Sequence, residues 1–245
     1  ETLRYYGRQI ELTGVDLKLN QRVSAEQLNS GGFDEVIIAT GISPRTPDIE
    51  GIDHPKVLNY VDVIAEKKPV GQKVAIIGAG GIGFDTAEYL THSGESTSQN
   101  IPAFMKEWGI DMSFASRSGI EGVKAQPAPS PREVYLLQRK LSKVGSGLGK
   151  TTGWIHRAGL TMKGVRMMPG CDYQRIDDEG LHITIGDESK VLAVDNIIIC
   201  AGQDPLRELA DGLNVPCHLI GGADVASELD AKRAINQGTR LAAEI

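Results

Sequence analysis

The sequence contains no apolar run approaching the roughly 18 residues that a membrane-crossing helix requires. Its opening residues, ETLRYYGRQ, are too polar for a secretory signal. Positive charge is in short supply: 26 Lys and Arg against 32 Asp and Glu leave a formal net charge of −6. That balance argues against a general binder of nucleic acid or of anionic membrane. Cysteine is scarce as well. Cys171, Cys200 and Cys217 lie far apart, forming neither a C-x-x-C redox pair nor a metal-cluster spacing, so no metal site is expected. Cys200, inside the apolar run IIICAG, reads as a small buried hydrophobe. What these absences leave is a soluble globular protein with the cytoplasm as its expected compartment. At 245 residues, 40% of them hydrophobic, it has room for one large or two ordinary domains.

The most informative stretch is Lys73 to Leu90, KVAIIGAGGIGFDTAEYL. Val74 to Ile77 is a β-branched apolar run of the kind buried on both faces of a parallel sheet. Gly78, Gly80 and Gly83 follow in the spacing G-x-G-x-x-G, and Ile82, Ala87 and Leu90 then fall on one helical face. In a dinucleotide site the first glycine permits the tight turn, the second lets a pyrophosphate meet the backbone, and the third lets helix pack on strand. The phosphates then rest on the unpaired N–H groups of the helix start. A bare turn between strand and helix carries the same spacing, and the flanking strand and helix are what favour the ligand.

Around this stretch, Leu3–Leu12 reads as a helix, Val15–Leu19 as an alternating strand, and Phe33–Gly41 as a buried strand ending in small residues. Pro44, Pro47 and Pro55 with Gly51 make residues 43–56 an irregular connection suited to a domain crossing, and Tyr60–Ala65 a short helix. Residues 94–132, rich in Ser, Gln, Gly and Pro, read as a long insertion with local structure near Ala103–Trp108. The next strand is placed at Val134–Leu137. Asp111–Ala115 competes for that role and would put Arg117 at the strand end. An acidic residue there suits the ribose 2′-hydroxyl of NAD, a basic one the 2′-phosphate of NADP. Gln138, Arg139 and Lys140 offer donors and two charges, which points to NADPH; a solvated basic strand end is the plainer alternative.

Lys143–Gly153, KVGSGLGKTTG, comes close to G-x-x-x-x-G-K-[ST], but Val144 stands where the first Gly belongs, so an NTPase is set aside. A mobile glycine loop next to the cofactor, with Thr151 or Thr152 opening a helix through His156, fits better. Gly164–Met168 is read as a strand, Tyr173–Ile176 and Leu181–Ile185 as a hairpin, and Val191–Gly202 as one buried strand ending in Ala201 and Gly202. Leu219–Val225 reads as a strand with a Gly-Gly-x-Asp turn, and Glu228–Ile245 as a helix. Asp224 is then either an acceptor for sugar hydroxyls or a helix cap.

Taken together, the Ala-Thr-Gly strand end at 39–41, the glycine motif at 78–83, the Ala-Gly end at 201–202 and the Gly-x-Asp turn at 222–224 resemble the two-dinucleotide flavoproteins of the glutathione reductase class. GAGGIGFDTAEYL, STSQN, LLQRK, GLGKTTGWIHR and LIGGADVASELDAKRAINQGTRLA are similar to the C-terminal part of bacterial NADPH-dependent 2,4-dienoyl-CoA reductases, which are related to old yellow enzyme. The resemblance implies an α/β fold: a doubly wound, Rossmann-like NADPH domain at 66–203 inserted in a partial FAD domain formed by 1–65 and 204–245. It also implies a partner outside this sequence, an N-terminal FMN barrel with a 4Fe–4S cluster. In such enzymes hydride passes from NADPH to FAD, and electrons then reach FMN and the dienoyl-CoA of unsaturated fatty acid degradation. By the same resemblance, Gly78, Gly80, Gly81, Ile82 and Gly83 hold the NADPH pyrophosphate, Arg139 and Lys140 the 2′-phosphate, and Asp85 lies near the nicotinamide. Ala201 and Gly202 border the cofactor. Ala39, Thr40, Gly41, Gly222, Asp224 and Val225 belong to the FAD side, whose site is incomplete. No residue need act as acid or base, since the protein only positions the cofactors. A non-enzymatic NAD(P)-binding sensor is the competing class.

Overall fold

A computed structural model of the protein describes residues 1–227 and 229–245. The chain forms two units, Glu1–Ser43 with Pro205–Ile245, and Pro44–Asp204. The first opens with α1 (Thr2–Thr13), none of whose residues is buried, and α2 (Ala25–Ser30), fixed by a capping box between Ser24 and Gln27. Between them the strand expected at Val15–Leu19 does not form. Alternation needs a neighbouring ladder to become a strand, and Val15, Leu17 and Leu19 remain exposed. β1 (Val36–Ile38) and β2 (Ile42–Pro44) follow.

The second unit continues with β3 (Val57–Asn59), α3 (Tyr60–Ile64), β4 (Lys73–Ile77), α4 (Gly81–Thr91), α5 (Ile101–Trp108), β5 (Glu133–Leu137), α6 (Gly153–Met162) and β6 (Arg166–Met168). Its last part holds β7 (Cys171–Asp177), β8 (Gly180–Ile185), β9 (Glu188–Leu192), β10 (Asn196–Ile199) and β11 (Gln203–Pro205), which pairs with β2 where the chain crosses between units. The first unit is completed by β12 (Cys217–Leu219), parallel to β1, and α7 (Ala231–Leu241). The helix expected from Glu228 thus begins at Ala231, and Glu228 lies outside the described residues.

Five parallel strands in the order β3-β10-β4-β5-β6 form the main sheet. Val74 to Ile77 are wholly buried because both faces are covered, and the period of two sends alternate residues to opposite sides. Val74, Ile76, Val134, Leu136 and Ile198 pack on Phe84, Leu90 and Leu160 from α4 and α6. Ala75, Ile77, Leu137, Ile197 and Ile199 pack on Ile176, Leu181, Ile183 and Leu192 of the antiparallel sheet β7-β8-β9. Each such fully buried aliphatic or aromatic side chain stabilises by about 1.5–3 kcal/mol. The first unit buries far less: its cluster of buried residues is Val36, Ile38 and Ala223.

Two expected boundaries move, and one open choice of strand is decided as expected. The division expected at 65/66 falls at 43/44, because β3 joins the main sheet through Ile197–Val57 pairing. The run Val191–Gly202 is two strands, broken at Asp195, whose carboxylate accepts the Gln72 and Lys73 N–H groups at 2.8 Å each. Of the two candidates for the strand after α4, residues 133–137 pair with β4. Asp111 instead folds a turn, accepting from the Ser113 and Ser116 N–H groups at 2.8 Å. Within the insertion, α5 is capped by Asn100 and tied down by Glu107–Lys163 at 3.2 Å. No helix among the described residues is long and apolar enough to cross a membrane.

Candidate dinucleotide site

The main sheet reverses its strand order between β4 and β10: from β4 the chain moves outward to β5 and β6, and it returns to β10 on the other side. The crevice at the carboxyl ends of two such strands is where α/β sheets bind ligands. Gly78, directly after β4, donates its N–H to the Leu137 carbonyl at 2.9 Å and has φ +109°. A Cβ on it would come within 2.6 Å of the Cys200 carbonyl oxygen, and one on Gly83 within 1.8 Å of the Gly78 carbonyl oxygen. Both glycines are therefore required by the packing of the turn itself.

Gly80 and Gly81 differ. Both are exposed, and no heavy atom lies within 4 Å of where a Cβ would sit on either. Gly80 is the N-cap of α4 and supplies no side-chain acceptor to the helix start, so the first N–H groups lack a side-chain cap. Ile82 is partly buried against the core, and Asp85 is exposed on the second turn. Ala201 and Gly202 follow β10; a Cβ on Gly78 would be 3.0 Å from the Ala201 Cα, and Gly202 has φ +95° beside Arg45.

At the end of β5, Arg139 and Lys140 are exposed, and neither forms a salt bridge among the described residues. Gln138, at the same strand end, has its side-chain amide engaged within the chain. Its amide does not face outward as a free donor: Nε2 donates to the Lys140 carbonyl at 2.9 Å and the Ser142 carbonyl at 2.6 Å. The glycine loop beyond is anchored by packing. Val144 and Gly145 are buried, and a Cβ on Gly145 would lie 2.6 Å from the Phe84 ring. Thr152 is the N-cap of α6, and His156 sits on that helix 3.2 Å from Glu88.

Sequence reading missed a cavity of about 280 Å³ at the carboxyl ends of β3 and β10, lined by Arg45, Asn59, Asp62 and Ile199 among others. Arg45 Nε donates to Asp204 at 2.8 Å. Asn59 and Asp62 form the capping box of α3, and the hydrogen bond from Lys68 holds the Asp62 carboxyl below its usual range. The Asn-x-x-Asp spacing was the available signal. Asp177, Glu179 and His182 bring their ligand atoms within 4.8 Å of one another at the β7–β8 turn. Asp177 is already taken there, by the Glu179 N–H at 3.0 Å, His182 at 2.9 Å and Arg175 at 3.0 Å.

In the first unit, Ala39, Thr40 and Gly41 follow β1, and a Cβ on Gly222 would be 3.0 Å from the Gly41 carbonyl carbon. Asp224 accepts from Gln237 Nε2 at 2.7 Å, while Gln237 Oε1 accepts the Gly221 N–H at 2.8 Å. Val225 is exposed, and the Thr40 hydroxyl is spent on the Leu206 carbonyl. A cavity of about 520 Å³ lies along Ala39, Gly41, Gly222, Leu229 and Ala234. α7 offers no open helix start, because Asp230 caps it by accepting the Arg233 N–H at 2.6 Å.

These donor sets can be weighed against the two cofactors. The turn after β4 fits a dinucleotide pyrophosphate, with an uncapped helix start, a cradle that a side chain at Gly80 would fill, and unpaired cations at the neighbouring strand end. The first unit fits only part of a flavin nucleotide, by close backbone approach and an oriented carboxylate.

The sequence pattern of the pyridine nucleotide-disulphide oxidoreductases matches residues 5–233. The chain belongs to that family. Membership makes it an NAD(P)H- and FAD-binding domain of a flavoprotein oxidoreductase, with the Rossmann-like α/β fold of that group. It is 45% identical over 93 residues to a cinnamate reductase of Clostridium sporogenes, a match covering 38% of this chain and 14% of that protein. It is 27% identical over 204 residues to a metal reductase of Desulforamulus reducens, covering 82% of this chain and 29% of the relative. Among solved structures, a 2-naphthoyl-CoA reductase in complex with 2-naphthoyl-CoA superposes on all of this chain with a TM-score of 0.74 and 25% identity. The chain spans 32% of that protein, so in each case it corresponds to a minor part of the relative. Cys171, Cys200 and Cys217 are free, the first two are buried, and burial pushes the Cys200 thiol up to about 12.

Proposed function

We propose that residues 44–204 bind NADPH, that residues 1–43 and 205–245 contribute part of an FAD site, and that both serve a larger flavoprotein reducing 2,4-dienoyl-CoA in unsaturated fatty acid degradation. The observation that carries the NADPH reading is the open start of α4 at the strand-order reversal, next to the unpaired Arg139 and Lys140. Support for an unsaturated thioester comes from the resemblance of the motifs at 78–90, 136–140 and 219–242 to dienoyl-CoA reductases and from the substrates of two similar proteins. Cinnamate carries unsaturation conjugated to a carboxyl group, and 2-naphthoyl-CoA to a thioester. The partner is an FMN barrel with an iron–sulfur cluster in the same protein.

When bound, NADPH supplies a hydride that FAD takes up. The chain's part is to hold and orient. Gly78 and Gly83 shape the turn, the N–H groups from Gly80 to Gly83 receive the pyrophosphate, and Ile82 anchors the helix start in the core. Arg139 and Lys140 receive the 2′-phosphate. Asp85, Ala201 and Gly202 border the nicotinamide half. Ala39, Thr40, Gly41, Gly222, Asp224 and Val225 line the flavin nucleotide, with Asp224 oriented by Gln237 toward sugar hydroxyls.

Calorimetric titration with NADPH and NADH tests this. A charged hydrogen bond is worth about 1.5–3 kcal/mol, so NADPH should bind at least about tenfold more tightly, and Arg139→Ala should remove most of the difference. Equal affinity of the unmodified chain for both cofactors would overturn the reading.

A further inference from the structure

We propose that Gln138 is a positioning residue for cofactor selectivity, holding the turn that presents Arg139 and Lys140; this rests on the NADPH reading above. Both amide hydrogens of Gln138 are committed inward, to the carbonyls of Lys140 at 2.9 Å and Ser142 at 2.6 Å. Carbonyls only accept, so the nitrogen must be the amide atom facing them. The same turn is fixed from outside. The Gly170 N–H donates to the Lys140 carbonyl at 3.1 Å, the Cys171 N–H to the Gln138 carbonyl at 2.9 Å, and the Gln138 N–H to the Met168 carbonyl at 3.0 Å. Gly170 has φ +71°, and a Cβ on it would come within 2.9 Å of Leu141. One glutamine and one glycine thus close a short turn whose exposed groups are two cations without a salt bridge among the described residues.

The energetic consequence concerns ordering. A guanidinium fork recognises phosphate through direction as well as charge. A turn already in shape avoids the cost of immobilising it on binding. Loosening the turn therefore weakens the 2′-phosphate contact more than the pyrophosphate contact, which belongs to a different loop.

Gln138→Met removes both donors at nearly constant size, and Gln138→Glu places oxygens opposite the two carbonyl oxygens. Dissociation constants for NADPH and NADH are measured by calorimetry for the unmodified chain, both variants and Arg139→Ala. The expected result is that the ratio of the NADH to the NADPH constant falls roughly fivefold or more in Gln138→Met and further in Gln138→Glu, as expected for loss of part of a charged hydrogen bond. An unchanged ratio in both variants, or equal weakening for both cofactors as a merely structural role would give, refutes the assignment. If Arg139→Ala leaves the ratio unchanged, the NADPH reading itself fails; if it collapses the ratio while the Gln138 variants preserve it, only the positioning role fails.

Discussion

Gly80 and Gly83 lie three residues apart in one motif, yet the structure assigns them opposite sensitivities. At Gly83 a methyl group would sit 1.8 Å from the Gly78 carbonyl oxygen and 2.9 Å from its carbon, so the contact must open to at least 3.0 Å. Neither partner is a flexible side chain. The carbonyl belongs to the turn, and the helix start is tied to it by the Phe84 N–H donating to the Gly80 carbonyl at 3.0 Å and by the burial of Phe84, Ala87 and Leu90. Overpacking a tight site costs about 1–3 kcal/mol, and a backbone clash belongs at the upper end. At about 2–4 °C per kcal/mol for a protein of this size, Gly83→Ala should lower the melting temperature by about 6–12 °C. Gly80→Val meets no heavy atom within 4 Å of its Cβ and sits at φ −82°, which valine adopts freely, so melting should change by no more than about 2 °C. NADPH affinity should instead be lost, because the side chain fills the space where the pyrophosphate meets the backbone. Thermal unfolding followed by circular dichroism, with calorimetric titration of NADPH, reads both effects. A Gly83→Ala variant melting with the parent would refute the packing argument, and normal NADPH binding by Gly80→Val would refute the site.

Phe84→Ala empties a wholly buried position beneath the glycine loop and should cost about 3–5 kcal/mol, measured by urea unfolding. Asp195 accepts two backbone N–H groups, chiefly that of Lys73, which hold its carboxyl below the ordinary range. Its contribution is therefore present above the unfolded value of about 3.9 and fades as pH falls through the lower folded value. Asp195→Ala should melt lower than the parent at pH 7 and lose less on acidification toward pH 3, and parallel pH profiles would exclude that role. Cys200, buried and with its thiol pushed up to about 12, should resist thiol reagents in the folded protein while the partly exposed Cys217 reacts. The purified 245-residue chain should bind NADPH but retain little FAD and not reduce 2,4-dienoyl-CoA, since α7 is capped by Asp230 and the first unit's buried cluster among the described residues is Val36, Ile38 and Ala223; yellow colour after gel filtration, or turnover, would contradict this.

The parts of the site that sequence made legible are those governed by local backbone sterics. The change from β-branched run to glycine turn to helix at 73–90 is specified within eighteen residues, and the φ of +109° at Gly78 and the close contact at Gly83 are what that spacing demands. Basic charge at 139–140 was equally plain, since a solvated strand end needs no distant partner to be recognised. What failed depended on distant partners. Val57–Asn59 is only three residues long and becomes a strand because β10 pairs with it from 140 positions away, which moves the domain boundary. Val15–Leu19 alternates over five residues but has no such neighbour among the described residues. Asp195 in VLAVDN was the visible break between β9 and β10, yet its meaning came from two N–H groups at the start of β4.

Gln138 shows the same limit at a single side chain. Its residue type correctly announced two hydrogen-bond donors at the end of the decisive strand, and a donor near a phosphate is naturally counted as a contact. A glutamine flanked by a turn has competing acceptors in that turn's own carbonyls, however, and these lie within reach at all times, whereas a ligand does not. With both hydrogens taken by the Lys140 and Ser142 carbonyls, the proposed NADPH site leaves Gln138 only one route to the phosphate, the placement of Arg139. Conservative replacement by residue type is then a poor guide at this position. An added positive charge in place of Gln138 would supply one more cation to the site, yet it would remove the bonds that aim the cations already there. On this argument Gln138→Lys should weaken NADPH selectivity despite its charge. Calorimetry showing tighter and more selective NADPH binding by Gln138→Lys would mean that charge, and not the shape of the turn, dominates at this strand end.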